Sequence, residues 1–119
     1  MSVLVSGWLH AFIATLIIET PIVVWLTRDV PMSAWRRTAL AVLANLATHP
    51  VVSFVILPTL VAHANVGLVV AETWAVVIEW VFYFLTLPTM KLSRALGISA
   101  LANGVSFALG LVLYQVGWL

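Results

Sequence analysis

The sequence predicts an all-α integral membrane protein, in which four transmembrane helices form an up-down-up-down bundle with both termini outside. Three observations predict it: an apolar excess that a small soluble core cannot bury, four apolar stretches of spanning length, and basic residues confined to two of the three connections.

The 119 residues are 64% hydrophobic and 8% charged, against about 45–50% and about 25% in soluble globular chains. Mean hydropathy is +1.18. One core of this length cannot enclose so much apolar side chain, so the excess must face lipid, and the bilayer is the first partner implied. A formal net charge of +1 is too small for a polyanion-binding surface, and no nucleic acid is expected. The absence of cysteine excludes a disulfide framework, a thiolate metal site and thiol chemistry.

The apolar stretches read as residues 3–26, 38–62, 67–90 and 95–118, one bundle over residues 1–119. Each can cross a hydrocarbon core of about 30 Å at about 1.5 Å per residue. Helices are the expected form because lipid leaves no backbone polar group a partner outside its own segment. The first stretch is expected to be a mature helix, since it lacks a basic leader and a small-residue cleavage site. The connections at 27–37, 63–66 and 91–94 are short, which makes sequential helices antiparallel.

Arg28, Arg36, Arg37, Lys91 and Arg94 all fall in the first and third connections. The excess of positive charge in cytoplasmic loops then puts 28–37 and 91–94 in the cytoplasm, in a membrane of the bacterial inner or plasma type. Trp8, Trp74, Tyr114 and Trp118 fall near the outer interface, and Trp25 and Trp35 near the inner one. Asp29, beside Arg28, reads as half of a solvated interfacial pair.

The other acidic residues, Glu19, Glu72 and Glu79, lie inside apolar helices. A carboxylate there costs about 2.5–3.5 kcal/mol by insertion scales, so each is a candidate for function. Glu19, Asn45, His49, Glu79 and Asn103 fall roughly 10–16 Å from the inner end, a polar layer drawing on every helix. His10 and Glu72 lie further out, and Glu72 and Glu79 share a face of the third helix. Thr48 joins His10, Asn45 and Asn103 as supporting polar groups, and His63 reads as a solvated loop residue. Pro21 and Pro50 are expected to free carbonyls near Ile17 and Leu46, either as ligands at membrane depth or as bends re-satisfied by Thr20 and Thr48. Ala102, Ser106 and Gly110 form a small-residue stripe suited to close helix approach, and are the expected contact of a homo-oligomer or a larger membrane complex.

Carboxylates, imidazole and amides suit proton or cation handling, and Glu19, His49, Glu72 and Glu79 form the expected pathway. No cofactor is required. A divalent metal, if bound, would use His49, Glu79 and Glu19, although no metal-binding motif is present. The depths of His10 and His49 differ by roughly 8 Å, which disfavours a bis-histidine haem. Ser53 and His49 lack the setting of a catalytic serine. The leading expectation is a proton- or cation-conducting subunit. The alternative is a non-catalytic scaffold subunit of a membrane complex, and an intramembrane metal-dependent enzyme comes third.

Overall fold

The computed structural model describes residues 2–119 as an all-helical chain with four long helices. They are α1 (Val3–Leu26), α2 (Ala34–Thr59), α3 (Val61–Thr86) and α4 (Leu92–Gln115), each long and apolar enough to cross a bilayer. Their outer faces carry exposed apolar side chains such as Ile17, Leu43, Val69, Leu85 and Val112. The longest dimension, 43 Å, matches a bilayer of about 40–45 Å including its headgroup regions.

α1 has the expected bounds; the other helices begin earlier than expected, for identifiable reasons. Ser33 accepts the Arg36 N–H through its side chain, so α2 starts at Ala34 and Arg36 and Arg37 become helical. The expected second connection is itself helical: a 3-10 turn, Val61–His63, runs into the α-helix Ala64–Thr86. His63 and Asn65 are exposed there, so their polarity does not oblige the chain to leave the helix. Gly67 permits this tight junction, since a Cβ on it would lie 3.3 Å from the Leu60 Cβ. α3 stops at Thr86 because Leu87 precedes Pro88 and is extended. α4 closes at its C-terminus in a Schellman motif, in which Gly117, at φ 80°, donates to Tyr114 O and Trp118 donates to Leu113 O.

Both interior prolines stay within their helices. Pro50 is followed by a π-helical turn, Val52–Ile56, and Pro58 lies just beyond it. Wider i→i+5 bonding accommodates backbone groups that proline leaves without an ordinary partner. Leu57 N–H accordingly donates to Val52 O.

α1 packs on α2 and α4, and α3 packs on the same two helices. Small buried residues, among them Ala41, Ala44, Ala71, Ala95 and Ala102, permit close approach. Ser99 Oγ donates to Val76 O at 2.7 Å, and Trp80 Nε1 donates to Leu92 O, tying α3 to α4.

The first and third connections meet at one end of the bundle. There Arg94 donates to both carboxylate oxygens of Asp29 and to Leu26 O. Asp29 therefore pairs across the fold rather than with neighbouring Arg28, whose guanidinium lies 4.3 Å from the Trp25 ring centroid. Arg37 is buried and donates to Val24 O at the end of α1, to the Thr27 hydroxyl and to Met32 O in the connection. Above these arginines Val23, Val30, Tyr83, Leu87, Met90 and Ile98 form a packed apolar core. This end is sealed.

Candidate functional site

Beyond that core the interior turns polar. Glu19, Asn45, Thr48, Glu79, Asn103 and Ser106 are all buried, and together they draw on all four helices. Of the residues assigned to one depth from the sequence, Glu19, Asn45, Glu79 and Asn103 are buried here, and His49 stands on the cavity wall.

Glu79 on α3 is wholly enclosed. Its Oε1 lies 3.1 Å from Thr48 Oγ1 on α2, and its Oε2 accepts from Asn103 Nδ2 on α4. Asn103 also donates to Ser99 O at 3.0 Å, so both of its amide hydrogens are used. Asn45 Nδ2 donates to Ala41 O, and Thr48 Oγ1 also lies within reach of Ala44 O and Asn45 O. Helix-internal back-bonding thus fixes the rotamers of the residues around Glu79.

Glu19 on α1 is the second buried carboxyl, at 2% exposure. Asn45 and Ser106 flank it, and Glu79 lies close enough to interact with it electrostatically. Its Oε2 nevertheless has no hydrogen-bond partner among the described residues. Tyr83, one turn from Glu79 on α3, sits beneath both carboxyls with its hydroxyl unpartnered. A phenol four residues from an intramembrane glutamate was a signal available in the sequence, and sequence reasoning missed it.

A cavity of about 310 Å³ stands on this layer. Glu19, Asn45, Thr48, Asn103 and Ser106 form its polar floor, and it extends towards Tyr114 and Leu119, away from the basic connections. Glu79 lies behind the floor, bonded to two of the residues that make it. Glu72 and His49 are on the walls. His49 Nε2 lies 3.3 Å from Thr15 Oγ1, and its ring meets Phe12 edge-on with centroids 5.4 Å apart. His49 Nδ1 has no partner. Val52, Ser53 and Leu57, in and just after the π-helical turn, complete the α2 wall.

Other expected residues fall elsewhere. His10 is exposed and bonded within its own helix to Ser6 O, apart from the cavity. Ile17 and Leu46, whose carbonyls the prolines release, do not line the cavity. Thr48 bonds to other groups, and Thr20 Oγ1 has no partner, so neither threonine re-satisfies those carbonyls. Ala102 and Ser106 face the interior of this chain's own bundle, and Gly110 lines the cavity. Among the described residues no three His, Asp or Glu side chains converge as a metal-binding group, so Glu19, Glu79 and His49 do not assemble into one.

The comparisons return no matching protein-family model, curated protein or solved structure.

Proposed function

We propose that the protein is a small membrane transport subunit that takes up a proton or a cation at Glu19 and Glu79 from the cavity above them. One observation carries the reading: two carboxyls are buried, Glu19 on the cavity floor and Glu79 behind it, and among the described residues neither forms an ion pair. Ionised carboxylates at this depth need a counter-charge, and two adjacent ones cannot both stand unpaired. The balancing charge must arrive from outside the fold, and the cavity is the route that reaches Glu19.

The hydrogen count agrees with a proton-binding role for Glu79. Thr48 has one hydroxyl hydrogen and three oxygens within reach, at 3.1, 3.3 and 3.4 Å. When that hydrogen bonds Ala44 O, the contact with Glu79 Oε1 is satisfied by a proton on the carboxyl.

In this reading the bundle runs up-down-up-down. The connections carrying Arg28 to Arg37 and Lys91 to Arg94 face the cytoplasm, both termini lie outside, and the cavity opens to the outer side. Passage through the other end requires the Val23–Tyr83 region to part, or a further copy or subunit to complete the path. The test is uptake by liposomes containing the purified protein, followed with an internal pH dye and with sodium or manganese tracers. Uptake that falls at least tenfold in Glu19→Gln supports the proposal. Equal uptake by the variant and the parent overturns it.

A further inference from the structure

The cavity is much larger than a proton or a bare metal ion requires. A water molecule occupies about 30 Å³, whereas the space above Glu19 is about 310 Å³, within the range of small-molecule sites, roughly 300–1,000 Å³. Its two ends differ in chemistry. The floor offers oxygens: the carboxyl of Glu19, the hydroxyl of Ser106 and the Oδ1 of Asn103, whose amide hydrogens are both engaged elsewhere. The walls above are apolar, with Ile18, Leu57, Leu68 and Phe107 among them.

We propose that the site's cargo is a small organic ammonium ion, with its charged head on Glu19 and its hydrocarbon part along the Ile18, Leu57, Leu68 and Phe107 wall. The inference rests on the reading of Glu19 as a cation-binding group and names the class of cation. An ammonium head carries up to three donors and no acceptor, which matches a floor of one carboxylate oxygen with amide and hydroxyl oxygens. Glu19 supplies the negative charge for a charge-assisted hydrogen bond at the cavity floor. An inorganic ion would fill the floor and leave the apolar chamber without a role; an alkyl chain fills both.

The test is calorimetric titration of the purified full-length chain in a non-ionic detergent. The probes are methyl-, ethyl-, propyl- and butylammonium, with 1-butanol as the uncharged control and sodium and manganese chlorides as inorganic cations. Burying each added methylene should tighten alkylammonium binding about fourfold. Glu19→Gln should weaken butylammonium at least tenfold and leave 1-butanol unchanged. Gly110→Leu provides a variant outside the floor: Gly110 lines the cavity, and a Cβ there meets nothing within 4 Å. It should abolish the gain from the longer chains and spare methylammonium. Butylammonium binding indifferent to Glu19→Gln and matched by 1-butanol overturns the inference as apolar partitioning. Glu19-dependent binding of sodium, manganese or protons with a flat alkyl series overturns the organic cargo and leaves the cation site standing. No Glu19-dependent cation binding of any kind overturns both.

Discussion

Glu79 on α3 and Asn103 on α4 are joined by a hydrogen bond that neither side chain shares with solvent, at 0% and 5% exposure. The same asparagine is anchored to Ser99 O on its own helix, so its position is set before Glu79 reaches it. Replacing it with leucine removes the donor and leaves a buried carboxyl oxygen unpaired, at a cost of about 1–3 kcal/mol. Thermal unfolding in detergent should register Asn103→Leu as clearly destabilised and Glu79→Gln as near neutral, because glutamine keeps the shape and an accepting oxygen. The double variant should be less destabilised than the sum of the singles, since the two side chains are in contact. Strict additivity would mean that the bond does not couple the helices.

The Asp29–Arg94 pair joins the first connection to α4 at the sealed end. The Arg94 guanidinium holds the Asp29 carboxyl below its ordinary value of 3.8. A carboxyl whose folded value is depressed stabilises the fold above its unfolded value and loses that contribution as pH falls through the folded one. Asp29→Asn should therefore be slightly less stable than the parent at pH 5–7, with the two converging as pH falls through the depressed Asp29 value, below 3.8. Both groups are partly exposed, at 37% and 65%, so the effect is small and salt-sensitive. Melting curves at low and high salt between pH 2 and 7 check this, and a gap unchanged by acid or salt would contradict the pairing.

The four apolar helices were legible because lipid exposure writes itself into composition. The polar layer was legible for a related reason: glutamates are rare in apolar helices and depth can be counted along them. Helix starts were less legible. Ser33 as a cap, and a junction at Leu60 short enough to need Gly67, depend on local backbone geometry that hydropathy does not encode. Depth also says nothing of rotation about the helix axis. His10 and Glu19 could both be assigned depths, yet one turns outward and the other into the bundle. The division between Glu19 on the cavity floor and Glu79 behind it arises from Thr48 and Asn103 each bonding Glu79 from a neighbouring helix, a tertiary fact with no local signature.

Arg37 is a buried cation without a carboxylate partner among the described residues, satisfied by Val24 O, Thr27 Oγ1 and Met32 O. Arg37→Met keeps much of the apolar stem and strips three acceptors of their donor. The expected loss is about 2–3 kcal/mol, in the range of hydrogen bonds to charged groups. Arg37→Lys should recover only part of it, because an ammonium cannot reproduce the planar fork that reaches separate acceptors. Thermal unfolding of the two variants checks the order, and a lysine variant as stable as the parent would show that charge alone suffices.

Sidedness and the cavity mouth can be tested together because the chain has no native thiol to mask. Single cysteines at Arg36, Asn65, Gly110 and Ala95 sample the first turn of α2 at the basic end, the α2–α3 junction, the cavity wall and the sealed core. With the basic connections in the cytoplasm, a membrane-impermeant maleimide added to intact cells should label Asn65→Cys and spare Arg36→Cys. Gly110→Cys should label from the same side as Asn65→Cys but more slowly, since its thiol lies within the cavity. Ala95→Cys should stay unlabelled until the protein is unfolded, because Ala95 has no exposure. Prior addition of butylammonium should slow labelling of Gly110→Cys and leave Asn65→Cys unaffected, linking the mouth to the proposed cargo. Labelling of Arg36→Cys from outside, with Asn65→Cys protected, would invert the bundle and turn the cavity towards the cytoplasm.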